Sequence, residues 1–583
     1  MPLPALANRL DAIPFVADVA ARDRLFPAPA VDQRVHVRST GSIDRWDGAT
    51  WQPSLVGAPG LVPPNRAAGL TPQAYVANNA VHNWRDYGAA GDGVTDDTAA
   101  IQAALDAEGA QYVPDGTYLV GPLAVRNNTA ITCHPNAALV ARPGYGENDA
   151  LLNLTRRTNV KIFGNGAEVR LRKADYTSGE GRHAVNLLSC TDVYVEHLVA
   201  RDTGGDGFFL GDDDPYTLAT PCDRVTLHEC RSVNARRNGF SVTNGRDVLL
   251  TRCVAQGTSG TFPGYGFDLE GDFPLQRLER VTLVDCVSEG NARGGLAIAL
   301  GALASYASAQ AAPVLIEVRG FRSTRDGTAG GDGGIRFASG LPQPTQPLAG
   351  RITVSGTVAQ PGGAGVRFDH WPGNWCDVDL TDVAVLNPYE TGTSGTLDAR
   401  AGFTGVVDPL NDVSAPQRVT FTRCTAVDTR TTPRLSVPFY FASGASGRAL
   451  ALRFVDCGGR GWTLAAGPVY VDVGTVAVAP AATPRVGLVG GAALGNYLGC
   501  ELTVGAAGTL TLPTTERVVG GEWHFVHTGA ALTVACAGSD SIRKPGGGTA
   551  TSVTLAQLGQ TLTLRYAGTG TWLVTGGTAA TLV

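Results

Sequence analysis

The feature that most constrains this chain is a degenerate repeat in its middle. A phrase of the form apolar-x-apolar begins at Val193, Val225, Val248, Val281, Val314, Ile352, Val378, Val419 and Leu452, at intervals of 23 to 41 residues. In five copies a cysteine follows five residues after the first apolar residue: Cys230, Cys253, Cys286, Cys424 and Cys457. A second phrase alternates with it, as Gly207-Phe-Phe-Leu, Gly239-Phe-Ser-Val, Gly266-Phe-Asp-Leu, Gly295-Leu-Ala-Ile, Gly334-Ile-Arg-Phe and Gly365-Val-Arg-Phe. Alternation over a few residues marks a strand with one buried face. No single copy can bury that face alone, so the copies must stack. Two or three short strands per turn with glycine at the corners describe a parallel β-helix. An α-solenoid is excluded, because the period within each copy is 2 and not 3.6. The cysteines are read as an internal stack of small apolar side chains.

Composition removes other classes. Of 583 residues, 75 are Gly and 34 Pro, yet no G-X-Y period runs, so collagen is excluded. With 43% hydrophobic residues and a net charge of −6, disorder is not expected. Lysine occurs only at Lys161, Lys173 and Lys544 and no basic run exists, which speaks against a nucleic-acid partner. No apolar stretch approaches the roughly 20 residues that cross a bilayer, so no membrane insertion is expected. The opening MPLPALANRLDAIPF lacks a basic region and an apolar core, so synthesis in the cytoplasm without a signal peptide is expected. The 11 cysteines form no CxxC pair, and no HExxH, GxSxG or P-loop occurs. No cofactor and no metal are expected.

Along the chain, residues 1–53 read as a small N-terminal adapter. A helix is expected over Asp18–Leu25 and a hairpin from Gln33–Arg38 and Ser42–Trp46. Residues 54–82 are read as a linker, 83–475 as the parallel β-helix, and 476–583 as a compact antiparallel β domain. A helix near the start of the β-helix takes capping oxygens from Thr95, Asp96 and Asp97. Its face of Ile101, Ala104 and Leu105 is expected to close the open end of the column.

The phrase Asp86-Tyr-Gly-Ala-Ala-Gly-Asp-Gly-Val-Thr-Asp-Asp-Thr-Ala-Ala-Ile, followed by Val113-Pro-Asp-Gly-Thr-Tyr, resembles the opening of the pectate-lyase-like superfamily of right-handed β-helices. That opening is common in bacteriophage tailspikes. Val19-Ala-Ala-Arg-Asp-Arg-Leu-Phe-Pro through Trp46-Asp-Gly-Ala-Thr-Trp also resembles small modules of tail proteins. The C-terminal segment is similar to tailspike domains that trimerise or bind sugar. The resemblance implies an all-β, right-handed parallel β-helix in a homotrimeric tailspike of the virion tail. It implies contact with other tail or baseplate proteins through the N-terminus. The implied substrate is a bacterial surface polysaccharide, and the implied activity is that of a depolymerase. Superfamily members include lyases, hydrolases, epimerases and inert scaffolds, so the chemistry rests on the site.

Aligning the Gly-apolar-x-apolar strands as coils gives an outward column of Phe209, Ser241, Asp268, Ala297, Arg336 and Arg367. Beside it runs a column of Gly211, Thr243, Glu270, Ala299, Ala338 and Asp369. Asp268 and Glu270 are i, i+2 on one strand, with attachment points roughly 6.5 to 7 Å apart. That separation suits inverting glycoside hydrolysis, and Asp272 is a third candidate. Asp206, Asp212, Asp213 and Asp214 are secondary candidates, as carboxylates or as oxygen ligands for calcium. Arg336, Arg367, Asp369, His370, Trp371, Trp375, Tyr265 and Phe209 are the expected substrate-binding residues; the tryptophans either stack on sugar rings or cover the helix flank, and the arginines either meet acidic sugars or pair with Asp369. Hydrolysis is favoured over elimination, because the aligned face offers no obvious base for a C5 proton. A non-catalytic receptor-binding spike and a polysaccharide lyase on the same fold remain alternatives.

Overall fold

The structure, a computed structural model, describes residues 81–463 apart from 217–218, 305–312, 329–331, 340–346, 370, 372–374, 391–395, 397, 408–417 and 444–450. Beyond these it describes the strands and turns named below. The chain divides into two compact units, Met1–Asn79 and Ala80–Val583.

In the first unit Arg34–Val37 pairs antiparallel with Ser42–Trp46, the hairpin expected from the sequence. Phe15–Val16 joins it parallel, and Trp51–Leu55 adds an antiparallel strand that runs past the expected end of this module at residue 53. The helix expected at Asp18–Leu25 lies outside the described residues.

The second unit is a parallel β-helix. One coil runs Cys222–His228, Arg231–Val233 and Phe240–Val242. The next runs Gly245–Thr251, Val254–Gln256 and Tyr265–Glu270. Each strand pairs in parallel with its counterpart one coil on. The first two strands of a coil meet at a left-handed residue, such as Glu229 at φ 51°, Arg252 at φ 51° and Asp285 at φ 53°. The cysteine comes next and turns inward, at the position that Leu198 and Phe321 fill in other coils. Cys230, Cys253 and Cys286 are free thiols with 0% exposure, as the repeat implied. Each thiol donates to a carbonyl of the preceding coil, Cys253 to Leu227 O at 3.4 Å and Cys286 to Leu250 O at 3.5 Å.

The same stacking builds the core. Phe208, Phe240 and Phe267 lie ring over ring at 4.9 and 5.0 Å, and Phe337 lies on Phe368 at 4.5 Å. Coil spacing sets these distances, and each ring removes a large apolar area from water. At the column's start Thr98–Asp106 is a helix whose Ile101, Ala104 and Leu105 are fully buried, closing the end. Its capping differs from expectation. Asp96 Oδ1 accepts from Thr98 N at 3.0 Å. Asp97 turns back to hold the loop, accepting from Ala90 N at 2.6 Å and Gly91 N at 3.0 Å, and Thr95 is spent on Asp92.

After residue 475 the expected antiparallel pairs occur, joining Glu522–His527 to Thr561–Gly568 and Leu532–Ala535 to Ser552–Leu555. Parallel stacking also continues through Arg485–Leu488, Glu501–Val504 and Glu522–His527. These phrases keep the period-2 alternation of the earlier coils, which serves parallel as well as antiparallel pairing.

Candidate active site

The strand Tyr265–Glu270 carries the candidate carboxyls. The observed register runs Phe209, Ser241, Asp268, Ala297, Arg336, Arg367 as successive partners. Glu270, Ala299, Ala338 and Asp369 follow one another in the same way. The alignment read from the repeat is therefore the alignment in space. On the next coil the small side chains Ala297 and Ala299 lie in register with Asp268 and Glu270. At the strand's other end Gly294 is required, because a Cβ there would stand 2.5 Å from Cε1 of Tyr265.

Asp268 is only 3% exposed, and Asn238 Nδ2 donates to its Oδ2 at 2.8 Å. Burial, then the neighbouring Glu270 charge, pushes its carboxyl well above the usual range, against the pull of Arg237. Glu270 is half-buried, and burial raises it too, opposed by Arg237 and Arg336. Asp272 is pushed up to about 7, first by loss of water around the carboxyl and then by Glu270. As a residue Asp272 is exposed, so water screens its neighbours and its rise is the softest of the three. The cation common to all three is Arg237. It binds Asp206 Oδ2 at 3.0 Å and Glu180 Oε2 at 3.1 Å, and its side chain is 11% exposed.

The remaining expected residues divide sharply. Asp206 belongs to this site: it is fully buried and accepts from Arg237 and from Asn238 N at 2.8 Å. Asp212 accepts from Asn244 at 2.6 Å and Gln276 at 2.9 Å, while Asp213 holds Ser189 at 2.7 Å and Arg156. With Asp214 these residues bracket a loop, and no cluster of three metal-ligating side chains occurs among the described residues. Arg336 binds Asp332 at 3.0 Å and Asp369 at 2.6 Å, and Arg367 lies 3.8 Å from Asp369. Phe209 stacks on His183 at 4.7 Å.

Three expectations are corrected. Trp371 and Trp375, expected on an exposed loop, are 0% and 4% exposed and pack edge to face at 5.0 Å. Trp371 also sits against Phe337 at 5.8 Å, so the pair fills the core beside the Phe stack. Tyr265, expected at a groove edge, is 1% exposed and donates its hydroxyl to Asp332. His370 lies outside the described residues.

Sequence reasoning missed Arg237, Asn238, Glu180 and Asp332. The first two had a legible signal, since they immediately precede Gly239 of the second phrase, as Asp206 precedes Gly207. Residues at that corner face the next coil's carboxyl strand. Asp332 had the same signal, standing two residues before Gly334 as Arg237 stands two before Gly239, whereas Glu180 arrives on a loop with no repeat register. The exposed aromatics were missed as well. Tyr216 is 75% exposed and contacts Phe273 at 4.9 Å, and Phe262 is 59% exposed under the Arg293 guanidinium at 4.6 Å.

Residues 81–168 match the family model described as rhamnogalacturonase A/epimerase, pectate lyase-like. A preneck appendage protein of Bacillus phage PZA is 26% identical over 206 residues, covering 32% of this chain and 24% of that protein. A mannuronan C5-epimerase of Azotobacter vinelandii is 28% identical over 234 residues, covering 38% of this chain and 12% of the epimerase. The chain thus spans a quarter or less of the length of these curated relatives. Among solved structures, the tailspike protein of E. coli bacteriophage HK620 aligns with a TM-score of 0.47 at 12% identity, covering 86% of this chain and 91% of that chain.

Proposed function

We propose that this chain is a phage-type tail protein that binds and cleaves a bacterial surface polysaccharide by glycoside hydrolysis. One observation carries the reading: three carboxyls at one strand end all hold protons above their ordinary range around a shared arginine. A hydrolase needs one carboxyl to give a proton to the leaving oxygen and another to take one from water. Asp272, raised to about 7 and reached by solvent, serves as the acid. Glu270, pulled back down by Arg237 and Arg336, serves as the base. Asp268 is too buried to touch a sugar and acts through its charge and its place behind Glu270. Elimination is disfavoured, because Arg237 and Arg336, the arginines nearest the carboxyls, are already ion-paired and supply no base. The phage appendage relative supports the setting, and the epimerase relative supports a polysaccharide substrate.

The test is reducing-end release from purified capsular, exopolysaccharide and O-antigen preparations. Glu270→Gln and Asp272→Asn should each lose about 100- to 10,000-fold in turnover while retaining binding. Full activity in both variants, or a rise in unsaturated-uronate absorbance, would sink the assignment. Homotrimeric assembly and attachment through the first unit belong to the same proposal, and light scattering that shows a monomer at micromolar concentration would remove them.

A further inference from the structure

The carboxyl strand is flanked at both ends by exposed aromatic rings, and its cations are already engaged. Phe262 lies three residues before Tyr265, at 59% exposure. Phe273 follows Asp272 directly and carries the 75% exposed Tyr216 against its edge. Exposed rings on the two flanks of one strand offer apolar area that a partner can cover. The apolar C–H faces of sugar rings are such a partner.

Charge on the same face selects among sugars. Arg237 is committed to Asp206 and Glu180, and Arg336 to Asp332 and Asp369. Arg293 lies 3.4 Å from Asp332, and Arg367 lies 3.8 Å from Asp369. Glu270 and Asp272, by contrast, have no cation within 4.0 Å among the described residues. Arg237 and Arg336 offset these carboxyls only in part, being bound to other carboxylates, so among the described residues a polymer with an acidic group on each repeat meets a face with more carboxyls than cations, which is repulsion rather than recognition.

We infer that the site takes an uncharged glycan, laid along the strand from Phe262 across Glu270 and Asp272 to the Tyr216–Phe273 pair, with the two exposed rings as its sugar platforms. This names the substrate class of the proposed hydrolase and rests on that placement of the site. It replaces the expectation that Arg336 and Arg367 receive acidic sugars.

The experiment uses the full chain at pH 8 on a panel of purified bacterial surface polysaccharides sorted into neutral and acidic repeats. Binding and reducing-end release are read separately. The expected result is that the tightest-bound member is neutral, and that Tyr216→Ala and Phe262→Ala each weaken its binding roughly 3- to 10-fold. Glu270→Gln should strengthen binding of polygalacturonate, as an acidic probe, by roughly tenfold, because one negative charge is removed from a face where carboxyls outnumber cations. Preference for acidic members, or wild-type binding by both aromatic variants, overturns the inference and leaves hydrolysis standing. A neutral member that is bound through the two rings but never cleaved supports the inference and removes hydrolysis. No binding to any member overturns both.

Discussion

Asp268→Asn separates a carboxyl buried at a cost from one that merely decorates a strand. The substitution keeps the shape, and it keeps an oxygen for Asn238 Nδ2, which lies 2.8 Å from the native carboxyl. In the native protein burial and Glu270 raise the group above its unfolded value. Above roughly pH 4 the unfolded chain has released this proton, while the folded chain still holds it. A folded state that binds more protons loses stability as pH rises, by about 1.4 kcal/mol per pH unit for one proton. The loss is absent below the unfolded value, grows through this window, and is constant above the folded value. The amide in the variant does not titrate and has no such loss. The variant should therefore gain on the parent as pH rises above about 4, by at most about 1.4 kcal/mol per pH unit. Urea unfolding followed by tryptophan fluorescence at pH 4.5, 5.5 and 6.5 measures the difference. A difference that does not change with pH, or a variant destabilised most at pH 6.5, would mean that the carboxylate is satisfied in its charged form. The reasoning about the site would then be wrong.

Other consequences follow from the same geometry. Arg237→Met leaves the fully buried Asp206 without its guanidinium and should cost about 3 to 5 kcal/mol, part of which Asp206→Asn recovers in the double variant. The same single change should move the acid limb of the pH–activity profile upward, since Arg237 holds Asp268, Glu270 and Asp272 down; an unmoved limb would detach it from the site. Trp371→Ala should cost about 3 to 5 kcal/mol in unfolding experiments, with glycan affinity of the folded protein unchanged, because the ring is core and not a platform. Cys230, Cys253 and Cys286 should ignore Ellman's reagent in the native protein and react once denaturant is added, and rapid native reaction would contradict their place in the stack.

The repeat alone determined much of this protein. Period 2 within each copy, glycine at the corners and cysteine at a fixed offset admit one kind of stack, because only neighbouring copies can bury the apolar face. Once copies stack in register, the columns follow by counting, so Asp268 beside Ser241 and Ala297 was legible from residue order. Arg237 and Asn238 were legible in principle for the same reason. What lies off the repeat was not. Trp371 sits one short step past the strand Val366–Asp369, and nothing in the sequence says whether that step turns inward to Phe337 or outward to water. Arg336 reads equally as a ligand for acidic sugars or as a partner of Asp369 until Asp332 and next-coil residue Asp369 close on it. Burial of Asp268 and exposure of Tyr216 likewise depend on loops whose paths no period fixes. Register is a local, repeating property that strand pairing enforces at every coil. Proton affinity, ion pairing and exposure depend on all groups within several ångströms, whatever their distance along the chain, and only the folded structure decides those.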